Sequence, residues 1–536
     1  MTTRWGNDIV KDMVLGQFID VFVPRLGSIT EVARDVSSFR EREYLVQGTR
    51  RLTFGDHRRA VDVMANLLES RGVTSGDRVL LLGANSIEWV VSFWAIVQVG
   101  AVVVLGNAWW SGSELMHALA LTRPTMVLTD ELCASKVPSR HSLVRLDELG
   151  WVLDDASLES KTNHEPSVVR EDDPAVMLFT SGTTGMPKGV VLSHRGIIAT
   201  LHATLERTRR LPSGTSPPPS YSLLSLPLFH VGGLQQLLPP FVAGGTLVFT
   251  ESRFDPASVV ALIRREGVRV WSAVPTMVMR VLDYLEATDG DALTSMYTVG
   301  LGGAPVAESL RARVTHFFPN VERRLAVSYG MSEAGGIVTT SAGEEVRSRP
   351  DTVGRAFSTV ELRIYNPNPS GTGEVLVRSP TLMLGYVRAV EPDLVIDPGP
   401  LDHERWLHTG DLGHLDDEGY LFVDDRLKDI VIRGGENIAT PHVEDALLAH
   451  PAVRDVAVFG LPHEELGEEL AAVVVVKPMM TVRSDELRAY LAASLAYFEI
   501  PTAWHIGETP LPYGATGKSL KRELRDSWSE WTELIV

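Results

Sequence analysis

Thr180-Ser-Gly-Thr-Thr-Gly-Met-Pro-Lys-Gly189 is entered from the apolar run Val176–Phe179 and left through Val190-Val191-Leu192. Two short β-branched runs around a turn of small residues predict strand, loop, strand. Three glycines and four hydroxyl residues in that turn can aim backbone N–H and side-chain O–H groups at phosphate oxygens, with Lys188 adding charge. The spacing is not that of a P-loop, because Gly189 rather than Ser or Thr follows Lys188. A solvent-exposed loop of small residues is the competing reading of the segment taken alone.

Outward from this turn, Val79–Leu82, Thr125–Leu128 and Thr246–Phe249 alternate with longer amphipathic stretches, the pattern of α/β layering. Trp89–Trp110 is apolar enough to raise the question of a membrane span. Ser92, Gln98, Gly100 and Asn107 interrupt it, so it reads as a buried helix Glu88–Gln98, a stop at Gly100 and a buried strand Ala101–Leu105. Leu211–Ser220 (LPSGTSPPPS) is an exposed loop. From about 356 to 423 strand-like pieces (Glu361–Tyr365, Glu374–Val377, Tyr420–Val423) separated by Gly, Pro and Asp predict a β-rich subdomain. Beyond Asp425 the pattern becomes strands Val456–Phe459 and Ala471–Val476 with helices Pro441–Leu448 and Arg483–Leu495. The expected organisation is an α/β N-terminal domain, residues 1–425, of layered subdomains, and a small, mobile α+β C-terminal domain, residues 426–536.

The chain has 536 residues, 44 % of them apolar, and a formal charge of −18. That size implies more than one core, and that charge excludes a general nucleic-acid binder. The single Cys133 excludes an internal disulfide and a cysteine zinc cluster. Residues 1–22 lack the apolar centre of a secretory signal, and the final residues, Leu-Ile-Val, lack a peroxisomal tripeptide; a cytoplasmic location is expected. Gly514-Ala-Thr-Gly-Lys-Ser519 is too short for a Walker motif, so Lys518 reads as one cation on a Gly-rich loop, a position where solvated lysines are common.

Taken in order, the Thr180–Gly189 turn, Pro227-Leu-Phe-His-Val-Gly-Gly233, Gly302-Gly-Ala-Pro305, Tyr329-Gly-Met-Ser-Glu333, Gly354-Arg355, Thr409-Gly-Asp411, Asp425-Arg-Leu-Lys-Asp429 and Gly517-Lys518 resemble the adenylate-forming superfamily of acyl-CoA synthetases, aryl-CoA ligases, luciferases and peptide-synthetase adenylation domains. The resemblance runs from about Leu52 to Leu524. It implies ATP, Mg²⁺ and coenzyme A as small-molecule partners of a carboxylic acid. The phosphates would lie on Thr180, Ser181, Gly182, Thr183, Thr184 and Lys188; adenine would lie by Gly302, Gly303, Ala304, Tyr329 and Gly330. Ser332, where relatives usually carry Thr, would contact the α-phosphate, and Glu333 would hold the metal. Asp411 and Arg426 would take the ribose, Lys428 would be the hinge, and Lys518 would serve the adenylation step. Gly434, Gly435 and Glu436 would line the pantetheine path.

The PLFHVGG stretch has no acidic residue of the kind that holds an amino-acid ammonium. His230, Phe229, Leu234 and Met331 would border the acyl group, which favours an apolar acid (a medium or long fatty acid, a steroid side chain or an aryl acid) over acetate. Pro441 falls one position later than in relatives, with Thr440 as a plausible N-cap. The alternatives are a fatty acyl-AMP ligase, toward which the slightly long Arg388–Glu404 stretch points, and a nucleotide sensor, against which Lys518 counts. No carrier module is expected after Lys518, and a homodimer is the expected assembly on base rate.

Overall fold

The computed structural model describes residues 4–150, 167–180, 186–212, 218–251, 254–303, 306, 308–390, 393–426, 431–433, 436–438, 440–463, 466–492, 494–514 and 519–532, without the side chains of 34–37, 425–426, 432, 436–437 and 532. A large N-terminal domain carries two large sheets, besides the two-stranded ribbon Asp8–Val14 and Gln17–Val23. The eight-stranded one has a parallel centre, Arg78–Leu82, Val102–Gly106, Met126–Thr129, Leu143–Arg145 and Pro174–Thr180. It continues antiparallel through Lys188–Ser193, Gly385–Val390 and Asp393–Asp397. The thirteen-stranded sheet has its parallel centre in strands that include Val270–Ala273, Thr298–Gly302 and Leu325–Met331. Gly336–Ala342 then runs back antiparallel against Leu325–Met331. In the small C-terminal domain, five strands include the long pair Val453–His463 and Gly467–Val476.

Local chemistry accounts for the elements nearest the site. Ser86 caps the helix Ile87–Val99 by accepting from the Trp89 N–H at 3.1 Å, and Gly100 ends it in the left-handed region at φ 78°. Trp89 and Trp94 on that helix have no exposed surface. Its apolar character thus serves the core, and among the described residues no helix is long and apolar enough to cross a membrane.

Three expectations change. The strands between about 356 and 423 do not form a sheet of their own: Glu361–Tyr365, Gly373–Arg378, Leu407–Leu415 and Tyr420–Arg426 extend the thirteen-stranded sheet, while Gly385–Val390 joins the other. Open edges of the large sheets supply the N–H and C=O partners these strands need. Part of the long Arg388–Glu404 stretch is the hairpin arm Asp393–Asp397, paired with Gly385–Val390. The helix foreseen over Arg483–Leu495 stops at Leu491. Thr440 is the first residue of the helix Thr440–Leu448 rather than its cap, and its hydroxyl accepts from Lys521 Nζ at 3.0 Å.

Candidate active site

Gly302 and Tyr329 stand at the C-terminal ends of neighbouring parallel strands, with Gly302 opposite Ser328. Such strand ends are where open α/β sheets bind ligands. A Cβ on Gly330 would lie 2.0 Å from the Gly336 carbonyl, so only glycine lets the chain turn back tightly into the Gly336–Ala342 strand. Tyr329 donates its hydroxyl to Asp411 Oδ2 at 2.6 Å. Asp411 is 2 % exposed. Its turn is pinned by Thr409, whose Oγ1 donates to the Val375 carbonyl at 2.7 Å and accepts from the Asp411 N–H at 3.1 Å. The backbone of Arg426 is the cross-strand partner of Asp411.

Ser332 and Glu333 lie on the short 3₁₀ turn Ser332–Ala334. The Met383 N–H donates to the Glu333 carbonyl at 2.9 Å, and Thr381 Oγ1 to the Ala334 carbonyl at 2.8 Å, which fixes the turn. Tyr386 donates its hydroxyl to Glu333 Oε1 at 2.9 Å, and Lys188 Nζ lies 5.3 Å from the centre of the same ring. Burial first, and then the negative charge of Glu333, push the Tyr386 hydroxyl well above the ordinary tyrosine range, so it stays a donor. Thr180 and Lys188 are cross-strand partners, closing the expected phosphate turn into a hairpin.

Where the acyl group is expected, Asn85 braces the PLFH segment: its Nδ2 donates to the Leu226 carbonyl at 2.9 Å and its Oδ1 accepts from the Leu228 N–H at 2.8 Å. His230 precedes the helix Val231–Ala243, its ring 4.6 Å from that of Phe229, which in turn meets Trp109 edge-on at 5.3 Å. Phe229 and Leu234 are buried in the main core, and Met331 and Tyr329 pack against it.

The structure therefore brings Tyr329 to Asp411, and Lys188 and Glu333 to Tyr386. Gly303 follows the Thr298–Gly302 strand in the left-handed region at φ 79°. Ser181, Gly182, Thr183, Thr184, Ala304, Lys428, Gly434, Gly435 and Lys518 lie outside the described residues, as do the side chains of Arg426 and Glu436. Sequence reasoning missed Asn85 and Tyr386. Asn85 had a signal, a short polar loop after a parallel strand; Tyr386 had none, since only the register of Tyr386 opposite Val190 brings it in.

Among the described residues no group of three His, Cys, Asp or Glu could hold a metal. Glu333 still fits a nucleotide-borne Mg²⁺: one oxygen is occupied by Tyr386, and Mg²⁺ in such sites takes one or two carboxylates plus phosphates and water. A cation, a carboxylate and an aromatic ring around strand ends suit a phosphorylated, ring-bearing ligand.

Residues 32–387 match the family model described as AMP-binding enzyme, and 442–518 that described as AMP-binding enzyme C-terminal domain. A feruloyl-CoA synthase of an Amycolatopsis species is 32 % identical, covering 88 % of this chain and 93 % of its own length. A long-chain-fatty-acid–CoA ligase of Mycobacterium tuberculosis is 30 % identical over 94 % and 96 %. The solved o-succinylbenzoate coenzyme A synthetase of Bacillus subtilis, in complex with ATP and magnesium ion, superposes with a TM-score of 0.78 at 28 % identity, covering 94 % of this chain and all of that one.

Proposed function

The chain belongs to the AMP-binding enzyme family and is an AMP-forming acid–CoA ligase; on that premise we propose that its acid is an apolar one, a medium or long fatty acid, a steroid side chain or an aryl acid. The observation that supports this is that Phe229 and Leu234 belong to the main apolar core and Met331 packs against it, two residues from Glu333.

In this reading the acid's carboxylate attacks the α-phosphorus of ATP and pyrophosphate leaves. Both reactants are anionic, so the site must neutralise charge while it aligns them. Lys188 and the hydroxyl turn hold the phosphates, Ser332 the α-phosphate, Tyr329 the adenine, and Asp411 with Arg426 the ribose. Glu333 would hold Mg²⁺, which when bound draws charge from the phosphates. Lys518 of the C-terminal domain, residues 426–536, supports this step. Rotation about Lys428 then exchanges it for Gly434, Gly435 and Glu436, along which the thiol of coenzyme A reaches the acyl carbonyl and displaces AMP.

Pyrophosphate release and loss of coenzyme A thiol, measured with ATP, Mg²⁺ and a panel of carboxylic acids, test the proposal. Turnover should rise from acetate to apolar acids. Pyrophosphate release without thiol loss would point instead to an acyl-AMP ligase, and neither signal with any acid would refute catalysis.

A further inference from the structure

Residues 381–386 brace the Glu333 turn at three points: the Thr381 hydroxyl on the Ala334 carbonyl, the Met383 N–H on the Glu333 carbonyl and the Tyr386 hydroxyl on Glu333 Oε1. The brace is itself held from outside. Arg405 Nη2 donates to the Met383 carbonyl at 2.9 Å, and the N–H of the same peptide group, that of Leu384, donates to the Val191 carbonyl at 2.8 Å. One guanidinium thus anchors the peptide that joins the Glu333 turn to the strand Lys188–Ser193.

Arg405 reaches that carbonyl against the preference of its own backbone. It lies in the left-handed region at φ 62°, which a Cβ disfavours and glycine adopts freely. Six other non-glycine residues share the region: five are exposed, and Arg123 ends a helix. Arg405 is half-buried, in a turn built on Asp402. Asp402 Oδ1 accepts from the Glu404 and Trp406 N–H groups at 2.9 and 2.8 Å, and its N–H donates to the Trp406 carbonyl at 2.9 Å. Glycine would fit this turn without strain, so an arginine kept there points to work done by its side chain. The turn leads directly into Leu407–Leu415, the strand of Asp411.

We propose that Arg405 is a positioning residue for adenylation: by holding the Met383 carbonyl it fixes residues 381–386, and through them the Glu333 carboxylate. The proposal rests on the reading of Glu333 as the metal-holding residue of an acid–CoA ligase. A carboxylate whose turn can drift must be realigned at each turnover, which raises the barrier and weakens its hold on a cation. Arg405 itself touches neither nucleotide nor acid in this scheme, so its loss should be felt through Mg²⁺.

The test titrates pyrophosphate release with Mg²⁺ and measures, separately, thioester formation from a supplied acyl adenylate. Arg405→Met keeps the length of the side chain and removes its donors. Adenylation should slow by about tenfold, the scale of one hydrogen bond from a charged group, with a higher half-maximal Mg²⁺ concentration, an unchanged KM for the acid and unchanged thioester formation. Arg405→Lys, which keeps the charge and a donor, should recover most of the loss. Arg405→Gly relieves the backbone yet should be as slow as Arg405→Met, with the melting temperature held. A glycine variant with wild-type rate and Mg²⁺ dependence, or equal losses in both half-reactions, would overturn the proposal while leaving the ligase reading intact. Normal Mg²⁺ dependence in Glu333→Gln would overturn the metal reading and the proposal together, as would a wild type that releases no pyrophosphate with any acid.

Discussion

The Tyr329 hydroxyl donates to Asp411 Oδ2 at 2.6 Å, a bond between residues 82 positions apart that ties the last parallel strand of the large sheet to the strand Leu407–Leu415. It orients both a candidate adenine platform and a candidate ribose acceptor. Tyr329→Phe keeps the ring and removes the bond. KM for ATP should rise about tenfold, as for one hydrogen bond to a charged group, with a smaller change in KM for the acid; steady-state kinetics in both substrates checks this, and an unchanged KM for ATP would remove Tyr329 from the nucleotide site.

Glu333→Gln should lower the rate of adenylation by about a hundredfold or more, the scale for losing one preorganised charge. The amide oxygen can still accept from Tyr386, so the melting temperature should hold. Tyr386→Phe should cost less, roughly tenfold, since the carboxylate stays and only its orientation loosens. Pyrophosphate release titrated with Mg²⁺ reads both variants; a Glu333→Gln enzyme with normal magnesium dependence would contradict the metal assignment.

Asn85→Ala leaves the Leu226 carbonyl and the Leu228 N–H without their partner. The PLFH segment should loosen, raising KM for the acid by about five- to thirtyfold, the equivalent of one to two kcal/mol. KM for ATP should change little. Equal effects on both substrates would mean that Asn85 supports the whole large domain rather than the acyl side.

Lys518→Ala should slow adenylation by about a hundredfold or more while thioester formation from a supplied acyl adenylate survives. Lys428→Pro should do the reverse, because a fixed φ at the proposed hinge prevents the second arrangement. Separate assays of the two half-reactions decide, and equal losses in both would count against domain alternation.

His202 is 1 % exposed, its Nε2 lies 2.7 Å from the Gly6 carbonyl, and its ring stacks on Phe22 at 4.3 Å. Burial, with a smaller contribution from Arg25, pulls the ring down from 6.5 to about 4. The unfolded chain therefore takes up its proton first as pH falls. This contribution to stability is complete above about pH 6.5, declines below it and levels off below about 4, with a total on the order of 3 kcal/mol. His202→Phe keeps the stack and removes the titration, so its urea midpoint should fall less than that of wild type between pH 7 and 4.5. Parallel declines would show that His202 is not responsible.

The strand Thr246–Phe249 and the strand Glu361–Tyr365 have the limits that their β-branched runs give them, and Ser86 and Gly100 bound the Trp-rich helix where cap chemistry puts its ends. Arg483–Leu495 was less legible: its apolar spacing continues past Leu491, but the chain there turns to pack Leu495 into the small domain's core. The long β-rich stretch reads correctly as strands, yet nothing local says which sheet edge each strand will join.

Sequence alone determined the layered α/β class, because periodicity, caps and turn chemistry act over a few neighbouring positions, and the order of the motifs, whose family resemblance is what proposes contacts to phosphate, ribose and metal. Only the tertiary structure decided that Tyr386 would sit between Lys188 and Glu333, that Asp411 would receive the Tyr329 hydroxyl, and that Arg405 would reach the Met383 carbonyl. Those meetings depend on strand register and helix packing across long separations in the chain, which are fixed by the burial of the whole core and not by any one segment.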